Sequence, residues 1–155
     1  MQERTWAVVV FRDGSDWQVG QLPPGLTGDL DDVERAVLGQ LPGAFALLDV
    51  ADDFFIVVRN AGGSVRFLLS DVTASTEWEV AAQVMDRLDL DVRDEDLNEV
   101  LPAGDLTVFD DLGLDAMELG AILSDVDAYA DEMLSTLARR LGFADAYERV
   151  VDALV

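Results

Sequence analysis

The first stretch of the chain changes from a β-type pattern of hydrophobic residues to a helical one. The β-rich run Trp6–Phe11, the Asp13-Gly14 turn and the short run Trp17–Leu22 predict a β-hairpin. Asp29 then precedes apolar residues at helical spacing, which predicts a helix that ends at Pro42-Gly43. The apolar residues of this helix are Leu30, Val33, Val37, Leu38 and Leu41.

Three more strands and a second helix are predicted to follow. The strand candidates are Phe45–Val50, Phe54–Arg59 and Ser64–Ser70. A helix is predicted over Thr76–Leu88, because Thr76 and Glu79 have the spacing of a capping box. Since short turns such as Asp52-Asp53 force consecutive strands to be antiparallel neighbours, the order ββαβββα predicts an α+β fold. We expect a five-stranded antiparallel sheet with helices on one face, similar to profilin or longin folds.

The second half of the chain has an acid-dense segment followed by helical patterns. We divide the sequence into an α+β sheet core (1–88), an acidic linker or loop (89–111) that contains the breaker Pro102-Ala-Gly104, and C-terminal helices packed on the same domain (112–155). Asp115 and Glu118 form a second capping box, and Gly142 is placed to end a helix. Two apolar stripes are predicted to pack on the sheet: Val126, Tyr129, Met133, Leu134, Leu137 and Leu141, then Phe143, Tyr147, Val150, Val151 and Leu154.

Charge limits the partners that the protein can have. The 155 residues include 32 Asp and Glu against 10 basic residues, all of them Arg, for a net charge of −22. Half of the residues are hydrophobic and mean hydropathy is +0.19, so the acids coat a folded body rather than a disordered tail. Because such a surface repels phosphates, we expect no direct binding to nucleic acid or to membranes.

Missing residue types exclude most catalytic chemistry. The chain has no Cys, His or Lys, which excludes disulfides, thiolate metal sites, Cys or Ser-His-Asp catalysis and Schiff-base chemistry. We therefore predict no catalytic residues, no cofactor and no enzymatic activity. No signal peptide or long apolar run is present, so we expect a cytoplasmic protein.

An imperfect calcium-loop pattern lies within the acidic segment. Asp94, Asp96 and Asn98 copy the opening of an EF-hand loop. Glu99 stands where glycine must make the sharp turn, and Asp105 stands where a bidentate Glu would close the loop. We expect weak divalent binding at Asp94 and Asp96 at most, in a solvated acidic segment.

The order of elements and several short strings resemble a known family, the actinobacterial tRNA adenosine deaminase-associated proteins. The strings are Trp6-Ala-Val-Val-Val-Phe11 with Trp17, Phe54-Phe-Ile-Val-Val-Arg59, Arg66-Phe-Leu-Leu-Ser-Asp71, Pro102-Ala-Gly-Asp105-Leu, Asp111-Leu-Gly-Leu114 and Leu141-Gly-Phe-Ala-Asp145. The resemblance covers essentially the whole chain. It implies a small acidic protein encoded beside a tRNA adenosine deaminase, and it supplies no functional residues. Zinc deaminases need His or Cys ligands, so this chain is not itself the deaminase.

These observations favour a non-enzymatic protein-interaction module with a tRNA adenosine deaminase as candidate partner. An acidic surface complements the basic surface of a tRNA-binding enzyme. Selectivity also requires an apolar patch, which we place at Met117, Ile122 and Tyr129; core packing is the alternative interpretation, and it is favoured for Tyr129. Two other functions stay open: a generic acidic nucleic-acid mimic or chaperone of basic proteins, and a carboxylate- or metal-dependent enzyme, which would need a pocket with convergent acids of perturbed pKa. The sequence does not define the oligomeric state.

Overall fold

A computed structural model describes residues 5–90, 100–125 and 127–154. The strands are β1 (Trp6–Asp13), β2 (Asp16–Leu22), β3 (Phe45–Val50), β4 (Phe54–Asn60), β5 (Val65–Leu69) and β6 (Ala103–Gly104). The α-helices are α1 (Leu30–Leu38), α2 (Glu79–Arg87), α3 (Ala116–Leu123), α4 (Ala130–Leu141) and α5 (Ala144–Leu154). Short 3-10 turns lie at Pro24–Leu26, Val72–Thr76 and Asp110–Leu112.

The strands form one antiparallel sheet in the order β2-β1-β3-β4-β5-β6. The prediction of five strands is therefore wrong, because β6 lies in the segment predicted as an acidic linker and pairs with Leu68 and Leu69. Gly104 makes this pairing possible. Its φ is +109°, and a Cβ there would lie 2.3 Å from the carbonyl oxygen of Phe67, so only glycine fits this close approach.

Helices cover both faces of the sheet, which corrects the expectation of one covered face. α1 and α2 pack against one face, over residues such as Val9, Leu48 and Ile56. α3, α4 and α5 pack against the other, over residues such as Val8, Leu47 and Val57. The physical reason is that β3 and β4 are buried at every position, so their side chains need an apolar layer on each side.

Helix ends agree with the sequence in part. Asp29 caps α1 by accepting a hydrogen bond from the Asp31 N–H at 3.0 Å, and Asp115 caps α3 through the Glu118 N–H at 2.8 Å. Gly142 ends α4 with a left-handed φ of +99°. The predicted capping box at Thr76 is wrong: α2 begins at Glu79, and the Thr76 hydroxyl donates instead to the Thr73 carbonyl within the preceding 3-10 turn.

Arg59 connects the sheet, through hydrogen bonds and an ion pair, to the segment that leads into the C-terminal helices. Its side chain donates to the carbonyls of Gly43 at 3.2 Å and Val108 at 2.6 Å. Its two terminal nitrogens also bind both carboxylate oxygens of Asp111, at 2.5 and 3.0 Å. The Arg59 side chain is 8 % exposed and that of Asp111 is 66 % exposed. This bidentate pair therefore fixes the segment that follows β6 against β4.

Candidate functional site: an acidic cleft

A cleft of about 1590 Å³ opens at the end of the sheet where the β3–β4 turn lies. It runs between that turn, the segment after β5, the α3–α4 connection and α5. Of the 25 described residues that line it, ten are Asp or Glu and none is Arg. This acid density is about twice that of the whole chain, with 32 acids in 155 residues, and concave walls focus the resulting negative potential. We call this feature the acidic cleft.

The arginines of the described chain make their contacts outside the acidic cleft. Five of the eight described arginines form ion pairs with carboxylates that do not line it. Of the other three, Arg12 stacks on an indole ring, Arg139 donates to a hydroxyl and Arg149 donates to a backbone carbonyl. The eight are Arg12, Arg35, Arg59, Arg66, Arg87, Arg139, Arg140 and Arg149. Within the described residues, no arginine offsets the carboxylates of the cleft.

Asp49 lies at the floor of the acidic cleft. It is an inward-facing residue of β3, flanked in the sheet by Trp6 of β1 and Phe55 of β4, and it is 1 % exposed. One carboxylate oxygen accepts the Asp52 N–H at 2.9 Å, and the other has no hydrogen-bond partner among the described residues. Burial raises the pKa of Asp49 to about 7, against the lowering effect of the Asp52 hydrogen bond. Its carboxyl group therefore titrates near neutral pH.

Tyr147 of α5 provides a second buried polar group at the same floor. The side chain is 2 % exposed, its ring centroid lies 6.1 Å from that of Trp6, and its hydroxyl has no hydrogen-bond partner in the described parts of the chain. Burial first, and then the negative charges of Asp49, Asp131 and Asp52, raise the pKa of the phenol. The hydroxyl thus stays protonated and can both donate and accept a hydrogen bond.

The β3–β4 turn connects this floor to α4. Ala51 and Asp52 both adopt left-handed backbone angles, with φ of 54° and 56°, which non-glycine residues hold only under local constraint. The Asp52 carboxylate accepts the Asp131 N–H at 3.0 Å and so caps the first turn of α4. Burial and the neighbouring Asp52 together raise the pKa of Asp131. Three carboxyl groups from the turn, the strand and the helix therefore meet at one end of the cleft.

The three residues predicted as an apolar interaction patch differ in burial and in their position relative to the acidic cleft. Tyr129 lines the acidic cleft and is 65 % exposed, so its favoured interpretation as a core residue is wrong. Ile122 is half-buried and lines an adjoining hollow of about 300 Å³, which shares Asp125, Ala128 and Met133 with the cleft. Met117 is 85 % exposed on α3 and lines neither. Asp94, Asp96 and Val126 lie outside the described residues.

Sequence reasoning missed Asp49 and Tyr147. The available signal was an acid within the apolar run Phe45–Val50 and a tyrosine, with its polar hydroxyl, within an otherwise apolar stripe. Asp52-Asp53 was correctly predicted as a turn, but not as a cap for a distant helix. Within ranges 5–90, 100–125 and 127–154, no group of three acids, His or Cys could hold a metal ion, and no helix is long and apolar enough to cross a membrane.

Comparisons with known proteins agree with the family resemblance of the sequence. A family model described as "Rv3753c-like tRNA adenosine deaminase-associated protein" matches residues 5–144. Protein Rv3753c of Mycobacterium tuberculosis is 40% identical over 153 residues, which cover 96% of this chain and 88% of that protein. No solved structure matches, so the expected likeness to profilin or longin folds has no structural support.

Proposed function

Because this chain belongs to the Rv3753c-like tRNA adenosine deaminase-associated protein family, we propose that it is a non-enzymatic accessory protein that binds a tRNA adenosine deaminase. The observation that carries the proposal is the acidic cleft, whose described lining has ten carboxyl residues and no arginine. An enzyme that binds tRNA must present a basic surface to the phosphate backbone. That surface is the electrostatic complement of the cleft.

Apolar side chains at the border of the cleft support a specific interface rather than attraction by charge alone. Tyr129 is 65 % exposed and Val100 is 62 % exposed, and half-buried Trp78 also lines the cleft. Exposed tyrosine and tryptophan are typical of the centres of protein interfaces, where they bury much area at small entropic cost. A generic acidic mimic would need only the charge.

The proposal is tested by titration calorimetry of the full chain against a tRNA adenosine deaminase from the same organism. An unrelated basic protein of matched net charge serves as the comparison. We expect the deaminase to bind more tightly, and its affinity to decrease as salt shortens the Debye length from ~10 Å at 0.1 M to ~3 Å at 1 M. Equal affinities that vanish together at high salt would instead establish the generic acidic mimic. Absence of binding at low salt would refute the proposal.

A pair of charge-matched variants locates the interface. The test variant neutralises three exposed acids of the cleft: Glu77→Gln, Glu148→Gln and Asp152→Asn. The control variant removes the same charge at exposed positions outside the cleft: Asp13→Asn, Asp16→Asn and Asp86→Asn. We expect the test variant to bind the deaminase about tenfold more weakly or worse, and the control to change affinity about twofold. Equal losses would place the interface elsewhere.

A second candidate function is a carboxylate-dependent hydrolase, and the pKa of about 7 at Asp49 is the observation that favours it. A carboxyl group that titrates near neutrality in a cleft can act as a general acid or base. The test is a screen of the purified protein against ester, glycoside and phosphoester substrates. Turnover that is lost in Asp49→Asn would support this function over the accessory one.

A further inference from the structure

The floor of the acidic cleft has the chemistry of a pocket for a single cationic side chain. We propose that Asp49, Tyr147 and Trp6 together bind one arginine side chain that the protein partner inserts into the cleft. This inference rests on the proposed function, since it names the group through which the partner would be held. It adds a specific recognition site to an attraction that is otherwise spread over the whole cleft.

Two buried polar atoms lack hydrogen-bond partners at this floor. They are one carboxylate oxygen of Asp49 and the hydroxyl of Tyr147, on side chains that are 1 % and 2 % exposed. Buried polar atoms are paired in the great majority of cases, so these two atoms, which are unpaired among the described residues and belong to side chains that line one cleft, can accept or exchange hydrogen bonds with an incoming group. That group must donate to a carboxylate and fit beside a phenol.

The charges around the floor select a cation. Asp52 from the β3–β4 turn and Asp131 from α4 lie close enough to raise the pKa of Asp49, and Asp49 in turn raises that of Tyr147. An anion would be repelled by all three carboxyl groups. A bare metal ion is disfavoured because, in the described ranges, no three acids are arranged to hold one.

The aromatic side chains favour arginine over lysine. Trp6 and Tyr147 both line the cleft, with their ring planes tilted by 53° and their centroids 6.1 Å apart. A guanidinium is planar, stacks on aromatic rings and is more weakly hydrated than an ammonium, so it enters a buried site at lower cost. It also carries enough N–H donors to reach both Asp49 and the Tyr147 oxygen.

Binding at this floor should depend on pH. The groups that face Asp49 are Asp52 of its own turn, Asp131 of α4 and Tyr147 of α5. Only the ionised form of Asp49 attracts a cation fully, and its pKa in the free protein is about 7. Affinity for a guanidinium therefore increases as pH rises through 7, and a bound guanidinium lowers the pKa of Asp49.

The experiment combines a direct titration with the partner assay. The carboxyl carbon of Asp49 is followed by NMR across pH in the intact protein, alone and with millimolar N-acetyl-arginine amide, N-acetyl-lysine amide or spermidine. We expect the arginine compound to lower the pKa of Asp49 by at least half a unit, and more than the other two. No change with any of the three probes, or a larger change with the lysine compound or spermidine, would overturn the proposal.

Deaminase binding is then measured for the wild type and for Asp49→Asn, Tyr147→Phe and the control Asp16→Asn. We expect about tenfold weaker binding for Asp49→Asn, a smaller loss for Tyr147→Phe and an unchanged affinity for the control, with circular dichroism confirming that each variant folds. The rise in affinity between pH 6 and 8 should disappear in Asp49→Asn. If the wild type binds the deaminase and Asp49→Asn binds equally well, the arginine pocket is refuted while the accessory function stands. If the wild type does not bind, the accessory function fails and the NMR titration alone decides whether the pocket takes arginine.

Discussion

Arg59 is expected to contribute far more to stability than its ion-pair partner Asp111. Arg59→Met should reduce the free energy of unfolding by about 2–4 kcal/mol, whereas Asp111→Asn should reduce it by about 1 kcal/mol or less. Methionine keeps the apolar stem but leaves the buried Val108 carbonyl without its 2.6 Å donor and removes the Gly43 hydrogen bond. An unsatisfied buried group costs ~1–3 kcal/mol. Asp111 is 66 % exposed, so water solvates its carboxylate when the arginine is absent.

The measurement is urea unfolding followed by circular dichroism and tryptophan fluorescence. Arg35→Met is the control, because Arg35 forms an ion pair with Asp32 while its side chain is 76 % exposed, and it should change stability by ~0.5 kcal/mol or less. Equal losses for Arg59→Met and Asp111→Asn would show that the argument from burial is wrong.

The same ion pair has a pH signature. The hydrogen bond from Arg59 is the main cause that lowers the pKa of Asp111 below its ordinary value. The stability that this group contributes is therefore present above the ordinary pKa of an aspartate, about 4, and is lost as pH falls through the lowered value. Wild type should lose stability more steeply than Asp111→Asn below about pH 4. Parallel acid curves for the two proteins would contradict this.

Three further predictions concern the core, β6 and the cleft. Leu137→Ala should cost ~2–5 kcal/mol in urea unfolding, because Leu137 is fully buried, whereas Leu41→Ala, at 71 % exposure, should cost ~0.5 kcal/mol or less. Gly104→Ala should cost ~2 kcal/mol or more, because its Cβ would lie 2.3 Å from a backbone oxygen, and Gly28→Ala, with open space around it, is the control. Asp49 has a raised pKa, so its contribution to stability is present below its ordinary pKa near 3.8 and is lost as pH rises to about 7. Asp49→Asn should flatten that decrease and be more stable than wild type at pH 8; an unchanged slope would mean that another group titrates.

Local patterns predicted the elements that depend on local interactions. The hairpin of β1 and β2, the start of helix α1 after Asp29, and the Gly142 end of α4 each have their signal within a few residues. The end of α1 was predicted at Pro42-Gly43, but the helix ends earlier, at Leu38. Tertiary contacts decided the rest. β6 has only two residues, and it forms because it pairs with β5, which is distant in the sequence. The nearly continuous apolar runs of β3 and β4 indicate that both faces of the sheet are covered, but in the sequence these runs predicted only strands.

The candidate site was the least predictable part of the molecule. Asp49 is one acid in an apolar strand, and its surroundings arise only when β1 pairs beside it and α5 packs above it. Tyr147 has a helical spacing that fits the core, and it is in the core, but it also lines the acidic cleft and its hydroxyl has no partner among the described residues. Tyr129 follows the same spacing as α4, yet it precedes the helix and stays exposed. Periodicity assigns a face to each residue but does not show which polar atoms remain unpaired.

The two faces of the sheet are closed by parts of the chain that the ribosome makes at different times. α1 and α2 are interleaved with or directly follow the first five strands, so one face can be covered as soon as these strands emerge. The other face, with Phe45, Leu47 and Phe55, stays uncovered until α4 and α5 have been synthesised. Roughly 70 residues separate β5 from the end of α4, which corresponds to several seconds of translation at ~5–20 residues per second. During that interval the nascent chain exposes a broad apolar surface, and such surface promotes aggregation until the last helices are synthesised and cover it.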